Sequence, residues 1–206
     1  DKITEELIRT MAEEEKICNY IDIPLQHISD SVLKAMRRRS TESSIRNTID
    51  ALRRAIPDIH IRTTFITGFP EETEEDFEKL AAFAEETEFE RLGVFAYSRE
   101  EGTPAGDMEC QIDEDTKAER ADSIMRRQVD ISRRNNMKKI GEVFEVIVDG
   151  MDEEGAYLGR TVYDAPEIDN TVIFSGDDDR VYKPGDMVKV RITDAFDYDL
   201  TGTVCG

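Results

Sequence analysis

Four short runs hold side chains that can do chemistry. The run Ile23-Pro24-Leu25-Gln26-His27 sets an amide that both donates and accepts beside an imidazole that can relay protons or donate to a carboxylate. Met36-Arg37-Arg38-Arg39 offers guanidinium forks that match a ligand carboxylate. Arg62 through Thr73 contains Gly68, which lets a backbone approach a ligand closely, and Glu72, which can orient an amine or a backbone donor. Phe95 through Ala105 carries Tyr97 and Ser98 just ahead of a Gly/Pro turn. Each run also has a plainer reading. These are a capped strand end with a surface histidine, basic residues that suit a helix C-terminus, a strand–helix connection capped by Thr73, and a structural turn.

The elements needed to position these runs are legible. Leu7, Ile8, Met11 and Ala12 share a face of a helix over residues 4–16 that Thr4 can cap. A short strand over 19–23 ends at Pro24. Ser29 or Asp30 starts a helix through Met36, and Thr41 starts another along Ile45, Ile49 and Leu52. Residues 59–66 read as a strand. Thr73 with Asp76 three residues on is a variant capping box ahead of the stripe Phe77, Leu80, Phe83 and Ala84. Residues 91–97 give a third strand, and a helix of about 113–139 follows. Strand–helix alternation repeated three times implies a parallel sheet with crossover helices. Gln26, Gly68 and Tyr97 then fall at the C-terminal strand ends, where such folds place their sites. Three strands cannot close a barrel, so further strands are expected from sequence outside this chain.

After Gly141 the rhythm changes. Val143–Val148, Ala156–Thr161, Thr171–Phe174, Met187–Ile192 and Thr201–Val204 are short, β-prone and punctuated by glycines, which predicts a small five-stranded barrel of the oligonucleotide-binding type. The expected fold class is therefore α/β plus all-β, with domains at 1–139 and 140–206. The acidic run Asp177-Asp178-Asp179 reads as a solvated hairpin loop.

Charge narrows the functions. With 27 basic and 47 acidic residues the net charge is −20. Phosphate contacts need clustered Lys and Arg, so this balance argues against nucleic-acid binding and favours a basic protein partner or plain solubility. From Gly141 on, five basic residues meet sixteen acidic ones, a net of −11 in under a third of the length. Cys18, Cys110 and Cys205 lie 92 and 95 residues apart, which matches no metal or cluster spacing. They read as small buried or semi-buried side chains of a protein in a reducing cytoplasm, with no metal site. No signal peptide or apolar run of membrane length is seen. The start at Asp1 suggests a piece of a longer protein.

Taken in order, Pro24-Leu25-Gln26-His27, Met36-Arg37-Arg38, Gly68-Phe69-Pro70-Glu71-Glu72-Thr73-Glu74-Glu75-Asp76-Phe77, and Tyr97-Ser98 with Gly102-Thr103-Pro104-Ala105 resemble the radical S-adenosylmethionine (SAM) methylthiotransferases. The final barrel is similar to the TRAM domain that ends those enzymes. The resemblance implies the C-terminal half of a partial (β/α)6 radical SAM barrel followed by TRAM. It implies SAM binding by Gln26 and Arg38, with Arg38 the carboxylate partner and Gly68 and Glu72 beside the cofactor. His27, Tyr97 and Ser98 become candidates for the substrate mouth. It also implies two [4Fe–4S] clusters in the complete enzyme, one cleaving SAM reductively and one supporting sulfur transfer. Their ligands are absent here, so no catalytic residue is assigned and the chain is expected to be inactive alone. One departure stands out: the family has Gly where this chain has Glu71, which argues against a left-handed backbone there.

The run Gly159 through Asn170, with Ala165-Pro166-Glu167-Ile168-Asp169, resembles the branch of that family that modifies an aspartate of the small-subunit ribosomal protein twelve. An acidic barrel suits such a basic substrate. The resemblance thus implies methylthio insertion at an aspartate β-carbon after hydrogen abstraction. The alternatives are a tRNA adenosine methylthiotransferase and a non-enzymatic acidic interaction module.

Overall fold

Alternating β-prone runs and capped amphipathic helices build the first of two units in a computed structural model that describes residues 3–176 and 180–205. The run Asp177-Asp178-Asp179 lies outside the described residues. The units divide at Gln128/Val129. The first contains α1 (Glu5–Glu13), β1 (Tyr20–Gln26), α2 (Asp30–Ala35), α3 (Glu42–Ala55), β2 (His60–Thr67), α4 (Glu74–Thr87), β3 (Arg91–Ala96) and the first part of α5 (Glu114–Met137). The three strands are parallel in the order β1-β2-β3. Alternation along β2 turns Ile61, Thr63, Phe65 and Thr67 inward. Phe65, Phe83 and Phe89 meet at 5.6–6.0 Å between centroids, and Leu33, Leu52, Leu80 and Ile124 fill in around them.

The caps set where helices begin. Thr41 and Thr73 each accept from the backbone N–H three residues on, and Ser44 and Asp76 return the bond. α1 ends at Glu13, three residues short of expectation, because residues 13–16 hold no apolar side chain to continue the buried face of Ile8 and Met11. β1 runs through Pro24 to Gln26 instead of stopping. Pro24 sits on an edge strand where its missing N–H costs no ladder bond. The ladder shifts register between Ile23 and Gln26. There the Thr63 hydroxyl donates to the Ile23 carbonyl (2.8 Å) and accepts from the Leu25 N–H (3.4 Å), bridging the gap.

The second unit takes the last turns of α5 and five strands: β4 (Val143–Met151), β5 (Tyr157–Arg160), β6 (Val172–Ser175), β7 (Met187–Ala195) and β8 (Leu200–Val204). They form a closed barrel in the order β4-β5-β6-β8-β7, with β4 and β7 completing the ring. Val146, Val148, Val172, Phe174, Val190, Ile192 and Leu200 fill it. Closure leaves no room at two glycines: a Cβ on Gly159 or Gly202 would lie 2.5 Å from the carbonyl oxygen of Ile147 or Arg191. Among the described residues no helix is long and apolar enough to cross a membrane.

Candidate functional site

Three backbone devices converge at the C-terminal edge of the parallel sheet. The bulge at the end of β1 leaves Gln26 with φ of 72°. The end of α2 is a Schellman turn. The Arg38 N–H reaches back to the Leu33 carbonyl (2.9 Å), the Arg37 N–H reaches the Lys34 carbonyl (3.0 Å), and Arg37 takes φ of 57° where glycine is usual. After β2 the Glu72 N–H closes a turn onto the Phe69 carbonyl (3.0 Å), with Pro70 second and Glu71 third. Glu71 has φ of 71°, so the expectation that glutamate would refuse a left-handed backbone is corrected. A Pro-led turn of this kind demands positive φ at its third position, and the Glu71 N–H is held by the Cys110 carbonyl (3.1 Å).

These devices frame a cavity of about 530 Å³ lined by Gln26, Arg37, Arg38, Ile66, Phe69, Tyr97 and residues 103–105, with Ala35 and Met36. Its walls are largely apolar, with a few polar groups set among them, the usual makeup of a small-molecule site. The Gln26 Oε1 and the Tyr97 hydroxyl are buried and have no hydrogen-bond partner among the described residues. Such atoms are costly to leave unmade. Tyr97 is fixed edge-on against Phe69 (5.1 Å) with the Lys117 ammonium over its ring (5.2 Å). Among the described residues no carboxylate pairs with Arg37 or Arg38, and both are exposed at the rim. Non-glycine residues in left-handed conformations concentrate where a site is held in a strained shape. Gln26 and Arg37 fit that pattern.

Of the residues expected at the site, the structure brings Gln26, Arg38 and Tyr97 to this cavity and sets the others elsewhere. Gly68 (φ 70°) faces α5, where an added Cβ would lie 2.2 Å from the Lys117 Cγ. Glu72 is buried and accepts from the Gly68 N–H (2.8 Å) and from the Arg120 Nη1 (2.8 Å). His27 is fully buried, not a surface or mouth residue. Its Nδ1 accepts from the Ser29 N–H (3.0 Å), which puts the ring proton on Nε2, 3.5 Å from the Glu72 Oε2. At that length the contact is not a hydrogen bond. Ser98 is exposed and donates to Glu100 (3.0 Å). Arg37, Lys117 and Arg120 were not singled out by sequence reasoning. Arg37 could have been found from the basic run that contains it, but nothing in sequence marks the other two.

Asp76 ties the frame together. Its carboxylate accepts from the hydroxyls of Ser29, Ser31 (2.8 Å) and Thr73 (2.7 Å) and from the Thr73 N–H (3.0 Å). Burial pushes its pKa up, but hydrogen bonds from Ser29, Thr73 and Ser31 outweigh that and hold it down at about 2.

Family models match the Radical SAM superfamily over residues 1–84 and the TRAM domain over residues 140–205. The chain is 50% identical to the ribosomal protein uS12 methylthiotransferase RimO of Geobacter sulfurreducens, over 99% of this chain and 45% of that protein. The chain thus carries a Radical SAM segment followed by a TRAM domain, and over nearly all of its length it is similar to that methylthiotransferase. Methylthiotransferases of the same name from Citrifermentans bemidjiense and Clostridioides difficile are 48% and 47% identical, over 99% of this chain and 45% and 46% of theirs. The chain thus spans about 45% of the length of the relatives it matches. In fold it resembles coproporphyrinogen III oxidase (HemN) of Escherichia coli, a radical SAM enzyme. The TM-score is 0.50 at 17% identity, over 73% of this chain and 32% of the other.

Radical SAM methylthiotransferases use SAM and [4Fe–4S] clusters. The cavity fits the first. The unpartnered Gln26 Oε1 is an acceptor suited to an ammonium, and Arg37 and Arg38 are guanidinium donors suited to a carboxylate. The residues of this chain do not fit the second. Cys18 and Cys110 are exposed, not buried as their sparse spacing suggested, Cys205 is half-buried, and all three are free. Among the described residues no group of three His, Cys, Asp or Glu could hold a metal ion.

Proposed function

We propose that this chain supplies the SAM-binding wall and the substrate-receiving barrel of an enzyme that adds a methylthio group to the β-carbon of an aspartate in ribosomal protein uS12. The observation that carries the reading is the cavity, where two buried polar atoms and two guanidiniums, all unpartnered among the described residues, meet at the C-terminal strand ends. The names of the relatives supply the substrate.

SAM held there would supply hydrogen-abstraction chemistry once a reduced [4Fe–4S] cluster, held by residues other than those of this chain, gave it an electron. The residues of this chain bind and orient it. Arg38 takes the carboxylate and Gln26 the ammonium, while Phe69 and Tyr97 form the apolar face that excludes water. His27, Gly68 and Glu72 act from behind the cavity by holding the turn that carries Phe69. Ser98 lies on the following loop, where it borders the substrate mouth. The acidic barrel receives the basic substrate, and a ribosomal protein substrate places the reaction in the cytoplasm.

Equilibrium binding of SAM to the full-length protein tests this. Arg38→Ala and Gln26→Ala should each weaken binding about tenfold or more, as expected when a charged hydrogen bond is lost. Mass spectrometry of uS12 after reaction with the intact enzyme is the second arm. Unchanged SAM affinity in both variants would falsify the cavity assignment; an unmodified aspartate would remove the substrate.

A further inference from the structure

One end of the barrel is apolar and acidic at once. Val172 pairs in parallel with Leu200, so β6 and β8 start side by side, and the 161–171 loop and the 196–199 turn emerge at the same end. Their bases are joined: the Thr171 N–H donates to the Asp199 Oδ1 (3.0 Å) and the Leu200 N–H to the Thr171 carbonyl (3.0 Å). Four large apolar side chains stand out here, Val162 (43% exposed), Ile168 (57%), Phe196 (53%) and Tyr198 (44%). Neither 161–171 nor 193–201 contains a Lys or Arg, whereas Asp164, Glu167, Asp169, Asp194, Asp197 and Asp199 are acidic.

The surface is built, not loose. The Thr161 hydroxyl donates to the Asp164 carboxylate (2.7 Å), and the Ala165 N–H to Asp169 (2.9 Å). The buried Asn136 amide donates to the carbonyls of Phe196 (3.1 Å) and Tyr198 (3.3 Å), and the Ser132 hydroxyl to that of Asp197 (2.6 Å). The Asn170 Nδ2 is buried and has no acceptor among the described residues. Exposed apolar groups on loops already ordered lose little entropy when covered. Their acidic surround selects a partner whose apolar residues are flanked by Lys and Arg, and repels phosphates.

The geometry points to this end of the barrel as the docking surface for a basic, partly apolar protein segment, with Ile168 and Phe196 as anchors. This rests on the reading that the barrel receives uS12, and it specifies where. The opposite end supplies a matched control: at the β4–β5 turn Met151, Glu153 and Glu154 are also exposed.

The experiment uses the full-length protein, purified uS12 and a tRNA. Ile168→Ala/Phe196→Ala should weaken uS12 binding about tenfold or more, as loss of two anchors does, while Met151→Ala/Glu153→Gln stays within about twofold. Both variants should keep the melting temperature and SAM affinity of the parent. Amide exchange of 161–171 and 195–199 should slow only when uS12 is present. Equal losses at both ends overturn the location but leave the barrel reading standing. Failure of the parent protein to bind uS12 overturns both. Loss of tRNA affinity with uS12 binding intact overturns the choice of partner. Protection of these segments without uS12 means that another part of the chain covers them, and also overturns it.

Discussion

The two units spend their irregularity differently. In the barrel every strand is paired on both sides, the interior is filled by Val, Ile, Leu and aromatic side chains, and glycines sit where a Cβ would strike a neighbouring carbonyl. In the parallel unit three non-glycine residues, Gln26, Arg37 and Glu71, take left-handed backbones along one side of the sheet. The barrel uses the missing Cβ of those glycines to let neighbouring strands close on one another. The sheet uses left-handed backbone to aim side chains at a cavity. Regular closure is a device for stability, and clustered strain beside unpartnered polar atoms marks a site.

The same contrast separates their ion pairs. Glu72 and Arg120 meet at 2.8 Å with Glu72 wholly buried, whereas Arg160 and Asp149 pair on the barrel surface. Arg120→Met should cost about 3–5 kcal/mol, since it strands Glu72 and frees the Gly68 turn that Glu72 holds. Arg160→Met should cost less than about 1 kcal/mol. Chemical denaturation of the two variants reads this directly. Comparable losses would show that burial does not distinguish the units.

Much of this was legible, and the limits have a physical pattern. Local signals held. Thr41 and Thr73 cap their helices, and the five short barrel strands appear where glycines and alternation put them. What failed depended on distant partners. Pro24 reads as a strand end, but Thr63, some forty residues away, bridges the ladder and lets β1 continue to Gln26. Glu72 reads as a ligand group, yet Arg120, forty-eight residues on, turns it into a structural one. His27 reads as exposed because its immediate neighbours do not reveal Glu72, forty-five residues on, beside which it is buried. Glu71 reads as incompatible with a positive φ, since the hydrogen bond from its N–H to Cys110 is invisible in sequence.

Asp76 sharpens the comparison through pH. In the barrel Asp164 accepts from Thr161, three residues away, and braces one loop. Asp76 instead joins the loop after β1 to the loop after β2, through Ser29, Ser31 and Thr73. Its pKa is about 2 in the folded chain, below the ordinary 3.8. Stability from this carboxylate is therefore complete above about pH 4 and is lost as pH falls toward 2. Asp76→Asn should cost roughly 1–2 kcal/mol at neutral pH after allowance for partial exposure, and the gap to the parent should close between pH 4 and 2. Parallel stability curves across that range would mean that the charge contributes nothing.

The smallest effect tests whether the strain at the sheet edge is all of one kind. Glu71 is exposed and does not line the cavity, unlike Gln26 and Arg37, which share its left-handed backbone. A left-handed non-glycine residue costs about 1–2 kcal/mol, and glycine gives back about 0.5–1 kcal/mol through the entropy of the unfolded chain. Glu71→Gly should then raise stability by up to about 1 kcal/mol and leave SAM affinity unchanged, as read by denaturation and binding on the same protein. Gain of stability without change in binding makes the strain at Glu71 incidental to the turn. Weaker SAM binding would instead place the Phe69–Glu72 turn, with its glutamate, among the devices that shape the cavity.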